Sequence, residues 1–145
     1  KAGIDTVELV AKEGSALING TQVMTAVGSL ALYKAINLLK VSDISAALTI
    51  EALRGIRDAF DLRTHMLRPH AGQIQTAKNI NALTEGSSFM TNQGDLRVQD
   101  AYTLRCVPQV HGASKDAVNY VKDKVEIEIN SVTDQEETFM DSLWL

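Results

Sequence analysis

Apolar residues recur three and four positions apart from Val23 onward, at Val23, Val27, Leu30, Ala31, Tyr33 and Leu38. That period puts them on one side of a helix and predicts one over residues 21–40. Upstream, Val7 to Val10 is a short apolar patch closed by Lys12 and Gly14, which reads as loop or extended chain, and Asn19-Gly20 marks a turn. Ser42 suits an N-cap, and Ile44, Ala47, Leu48 and Leu53 predict a second helix that stops near Gly55. Residues 56–72 lose the period, are rich in charge and histidine, and contain Pro69, which breaks a continuous helix. Ile74, Ala77, Ile80 and Leu83 predict a third helix over residues 73–85, ended by Gly86-Ser87-Ser88. Pro108 fits the first turn of a long fourth helix with Val110, Ala117, Val118, Val121, Val125 and Ile129 on its apolar side. Residues 125–129 alternate as a strand would, yet the helical stripe enters them unbroken from Val118, so helix is expected. Near the end, Thr133 and Glu136 form a capping box, and Phe139, Met140, Leu143 and Trp144 share one face of a short helix. No repeat, linker or low-complexity tract interrupts the chain. The expectation is an all-α fold of long helices packed as a bundle.

Composition agrees with that reading. Hydrophobic residues make up 45% of the 145 positions and aromatics only 5%, so a core would be aliphatic, as in helix-on-helix packing. The formal net charge of -4 argues against a nucleic-acid partner, because such a surface repels phosphates. No apolar run approaches the roughly 20 residues of a membrane helix. Cys106 is the single cysteine and cannot form an internal disulfide, which fits a reducing, cytoplasmic setting. The N-terminal KAGIDTVELVAKEG has neither an initiator Met nor the apolar stretch of a signal peptide, so the chain reads as starting inside something longer or after trimming.

Most catalytic patterns are missing. His65 and His70 are five apart, His111 is distant, and no cysteine cluster accompanies them, so no metal site is expected. Gly14 and Gly20 do not make a phosphate loop. Cys106 would need a base to act as a nucleophile; His111 follows five residues on, but a lone cysteine is more simply a small buried apolar group. The segment RVQDAYTLRCVPQVHG, residues 97–112, is different in its density of hydrogen-bonding groups. Gln99, Tyr102 and Arg105 are spaced by three, so one helical turn would align them. Arginine offers a planar fork to a carboxylate, tyrosine can pass a proton, and glutamine donates and accepts. A carboxylate substrate whose proton is moved would use that set; an ordinary surface face of a helix would also show it.

The strings EGSALINGTQ, ALTIEALRG, HMLRPHAGQ, RVQDAYTLRCVPQVHG and EINSVTD resemble histidine ammonia-lyase, in that family's order, over residues 13–134. An aromatic aminomutase is a related alternative. The resemblance implies a largely helical homotetramer whose active sites draw on more than one subunit. It implies elimination of ammonia from L-histidine to give trans-urocanate on a methylidene-imidazolone made from an internal Ala-Ser-Gly. By the same resemblance, Asn19 would bond that electrophile or the substrate amine, and Gln99 would orient the cofactor region. Tyr102 would transfer a proton, and Arg105 would hold the substrate carboxylate. The chain contains no Ala-Ser-Gly; its nearest string is Ala113-Ser114-Lys115. After Asp134 the family's usual Asn-Pro gives way to QEETFMDSLWL. The reading is therefore an internal lyase segment, residues 1–134, followed by a non-matching amphipathic tail, residues 135–145. Alone it would be catalytically silent and would carry no cofactor. Its orphaned apolar faces would pair between identical chains, by helix exchange, and the tail could enter a partner's groove.

Overall fold

The computed structural model describes residues 3–131, and the tail with its capping box lies outside them. The described residues fold as helices in the order α1 (Glu13–Ala16), α2 (Gln22–Ala52), α3 (Leu62–Met66), α4 (Ala71–Leu83), α5 (Tyr102–Arg105) and α6 (Val107–Ile129), with a 3-10 turn at Arg57–Phe60. Extended pairing among them is limited to one isolated parallel bridge between Ile56 and Thr91. The all-α expectation holds, and the alternating residues 125–129 are helical.

The two helices expected on either side of Ser42 are one. Ser42 does not cap: its hydroxyl turns back and donates to the Leu39 carbonyl at 2.8 Å, so it fits mid-helix without a free backbone group to satisfy. With no Gly or Pro between residues 38 and 46, nothing ends the helix there. The stop near Gly55 is real, but the left-handed residue is Arg54, at φ 53°. Its amide donates to the Glu51 carbonyl at 2.9 Å and the Gly55 amide to the Ile50 carbonyl at 2.8 Å, a Schellman ending. Gly55 is needed there for space, since a Cβ would come within 2.5 Å of the Ile50 Cγ2.

α4 starts two residues after Pro69, with His70 as its N-cap, and Pro108 lies in the first turn of α6 as expected. α4 and α6 share the largest interface, and α2 lies across both. The N-terminus of α2 meets the C-terminus of α6, where the Thr21 hydroxyl donates to Glu128 at 2.8 Å. Gly72 and Gly112 set how close α4 comes to α6: a Cβ on Gly112 would lie 2.6 Å from the Gln73 Cα.

The apolar core is small. Ala47, Ile50, Phe60, Ile80, Met90 and Val107 form it, with Ala46, Ala59 and Leu104 packed against it. Every buried residue of α2, namely Asp43, Ala47 and Ile50, is in its C-terminal half.

One turn from that core lies a buried polar network. The Asp43 carboxylate accepts from Asn79 Nδ2 at 2.6 Å, from His111 Nδ1 at 2.9 Å and from Lys115 Nζ. Lys115 also donates to the Thr76 hydroxyl at 2.6 Å, and that hydroxyl donates to the Gly72 carbonyl at 2.9 Å. The network joins α2, α4 and α6 and pairs a buried carboxylate with a buried amine, the condition under which such charges are tolerated.

Candidate functional site

The segment that the sequence singles out is fastened to the C-terminal end of α2. Arg97 Nη2 donates to the carbonyls just past that helix, Leu53 at 2.6 Å and Arg54 at 2.9 Å. A cation at that end also meets the negative pole of the helix dipole. Asp100 is buried and accepts from Arg97 Nε at 2.6 Å with one oxygen and from the Ile56 amide at 2.6 Å with the other. Thr91 completes the junction: its amide donates to the Gly55 carbonyl at 2.9 Å, and its carbonyl accepts from the Arg57 amide at 2.9 Å. Backbone groups left open where α2 ends are thereby satisfied.

From this anchor the chain runs extended through Ala101 into the single turn of α5. Leu104 of that turn packs against the core. Tyr102 and Arg105 share its outer side, with the Arg105 guanidinium 4.0 Å from the centre of the Tyr102 ring, a cation–π contact. Gln99 precedes the helix, so the three residues do not lie on one turn as the spacing suggested. A cleft of 290 Å³ nevertheless brings Gln99 and Arg105 together, lined also by Asp100, Cys106, Gln109 and Asp58. Tyr102 is 72% exposed beside it.

Arg105 Nε is buried and has no hydrogen-bond partner. A buried donor of a charged group left without an acceptor is costly, and Arg105 is among the residues that line the cleft. An incoming carboxylate matches it in charge and in planar geometry.

Asn19 is elsewhere. It is exposed in the turn before α2, with its amide 3.4 Å from the Ser15 hydroxyl. The 31 residues of α2 separate it from the cleft; at 1.5 Å per residue they amount to about 45 Å of helix. Two of the three histidines are structural in their contacts, and the third, His70, is exposed at the start of α4. His65 is buried between the Ala59 carbonyl, 3.0 Å from Nε2, and the Gln73 amide, 2.9 Å from Nδ1. Since a carbonyl only accepts, Nε2 carries the proton. His111 belongs to the Asp43 network, and among the described residues no group of three or more His, Cys, Asp or Glu could hold a metal ion. Cys106 lies on the cleft wall while the nearby His111 is engaged by Asp43.

Sequence reasoning missed Arg97, Asp100 and the Asp43 network. The i, i+3 spacing of Arg97 and Asp100 was the available clue to the first pair. Nothing local marks Asp43, whose partners are 36, 68 and 72 residues away.

The residues present do not fit formation of a methylidene-imidazolone within this chain. Ala113-Ser114-Lys115 lies inside α6, where the Ser114 hydroxyl donates to the Val110 carbonyl at 3.3 Å and Lys115 is held by Asp43 and Thr76. A helical backbone so fixed cannot cyclise.

Among the described residues no helix is long and apolar enough to cross a membrane. The chain is 72% identical over 134 residues to histidine ammonia-lyase of Clostridium tetani (strain Massachusetts / E88), covering 92% of this chain and 26% of that protein. It spans about a quarter of the length of the relatives it matches. The tyrosine aminomutase structure from Streptomyces globisporus superposes with a TM-score of 0.83 at 40% identity, covering 90% of this chain and 28% of that one. The histidine ammonia-lyase structure from Trypanosoma cruzi gives a TM-score of 0.76 at 36% identity, covering 91% and 23%. The profile of the family described as aromatic amino acid lyase matches residues 1–135, and with the helical fold in agreement, the chain belongs to that family.

Proposed function

We propose that this chain forms the carboxylate-holding wall of a site that eliminates ammonia from L-histidine to give trans-urocanate, in the cytoplasm. The observation that carries the reading is the Arg105 cation on a cleft wall shared with Gln99, stacked on the Tyr102 ring. In this reading Arg105 takes the substrate carboxylate, Gln99 orients the group beside it, and the Tyr102 hydroxyl moves a proton. The 72% identity to a histidine ammonia-lyase favours histidine over the substrates of the aminomutases, which share the fold at lower identity. The chain has no Ala-Ser-Gly, so ammonia elimination by the pure chain is not expected. L-histidine added to the chain should shift the NMR resonances of Arg105 and its neighbours. Arg105→Ala should weaken that binding roughly 10- to 100-fold, the range for a hydrogen bond to a charged group. Equal binding by wild type and variant would overturn the role of Arg105, and urocanate formation above a heat-killed control would overturn the silence.

A second reading concerns assembly, as a helix-swapped homo-oligomer. Val23, Met24, Val27 and Leu30 on α2 are 77%, 70%, 63% and 65% exposed, and no residue of that half-helix is buried. Contiguous apolar surface of this kind favours association. Light scattering on the eluting size-exclusion peak should give a discrete multiple of 15.8 kDa. A monomer at micromolar concentration would refute the assembly.

A further inference from the structure

We infer that Asp100 is a positioning residue: its buried carboxylate fixes the turn that presents Arg105 to a bound carboxylate, an inference that rests on the function proposed above. The two oxygens of Asp100 are spent on different elements, one on the Ile56 amide beyond α2 and one on Arg97 Nε. Arg97 in turn holds the end of α2 through the Leu53 and Arg54 carbonyls. One residue later, the Ala101 carbonyl accepts from the Leu104 amide at 3.0 Å and the Arg105 amide at 3.1 Å, which starts α5. The turn is therefore gripped on its N-terminal side by Asp100 and underneath by Leu104 in the core. Arg105 follows directly from that pair of anchors. The carboxylate lies near Gly55, where a Cβ would stand 3.5 Å from Asp100 Oδ2, an ordinary contact distance.

Asparagine at this position keeps the size and replaces one acceptor by a donor. That donor must face either the Ile56 N–H or the Arg97 guanidinium, both of which donate. The turn should then lose its fixed placement while α4 and α6 stay packed.

The test compares L-histidine with histamine, which lacks the carboxylate, on the 145-residue chain. Wild type should prefer L-histidine, and both Arg105→Ala and Asp100→Asn should lower that preference about tenfold or more. A merely structural loss would weaken both ligands alike and leave the preference intact. Hydrogen exchange of the Leu104, Arg105 and Cys106 amides should quicken in Asp100→Asn, with the α4 amides unchanged. Arg97→Ala, which removes one of the two partners, should move both readouts in the same direction. Preserved preference together with unchanged exchange of the turn overturns the inference. No preference in wild type instead overturns the function proposed above, and the exchange rates then decide separately whether Asp100 holds the turn.

Discussion

Asp43→Ala should destabilise the fold by about 3–5 kcal/mol, the cost of leaving a buried charge without its partner. The stranded group is Lys115, whose residual contact is the Thr76 hydroxyl. Urea unfolding followed by circular dichroism measures the loss. Asp43→Leu with Lys115→Met should be less harmful than either single change, because the double variant removes the unpaired charge along with the pair. A double variant worse than both singles would show that the ion pair, and not its uncompensated remnant, dominates. The pH dependence follows from the same group. Burial pushes the Asp43 carboxyl up, and the hydrogen bonds from Lys115, Asn79 and His111 outweigh it, leaving the group below its ordinary value of 3.8. A carboxyl held lower in the folded state adds stability that is complete above its unfolded value, near pH 4, and lost as pH falls through the folded value. Wild type should therefore weaken from about pH 4 downward. Asp61, brought to about 2 by the hydrogen bonds from Arg63, adds to the same acid limb. Asp43→Asn should flatten that limb without abolishing it.

Gly112→Ala is the second large effect. The new methyl would meet the backbone of Gln73 and lie 2.8 Å from the Gly72 carbonyl carbon. Backbone on the opposite helix cannot rotate away as a side chain can, so α4 and α6 must separate. Overpacking of this kind costs about 1–3 kcal/mol or more. The higher helix propensity of alanine returns up to about 1 kcal/mol. Destabilisation should win by about 2 kcal/mol, read from the urea midpoint at unchanged slope. Gly28→Ala is the control, since its Cβ would enter open space within the same kind of element. It should be neutral or mildly stabilising. Equal effects at the two glycines would show that the crossing is looser than the geometry requires.

Periodicity located the helices well wherever one apolar stripe ran without interruption. α6 is the clearest case: the stripe from Val110 to Ile129 predicted helix through residues that alternate like a strand, and Pro108 marked its start. The failure at Ser42 has a simple origin. A serine hydroxyl serves equally as an N-cap or as a donor to the preceding turn, and only tertiary packing decides between them. Of the candidate cleft, the lining was legible only in part. Side-chain type suggested Gln99, Tyr102 and Arg105, but helical spacing misplaced Gln99, because Asp100 ties its segment to α2 before the turn begins. Asn19 entered through resemblance alone, and its distance along α2 from the cleft is information no local pattern holds. The Asp43 network could not be read locally because it is assembled from three helices.

That network also bears on the order of synthesis. Asp43 is made 72 residues before Lys115. At roughly 5–20 residues per second, a growing chain leaves the carboxylate without its amine for roughly 4–14 s. Throughout that interval α2 carries an unpaired charge in the middle of the side that will later be covered. Docking this side against the wrong apolar surface would bury the charge alone, which is strongly unfavourable. Asp43 therefore penalises early burial of this side of the helix, a penalty relieved when Lys115 arrives.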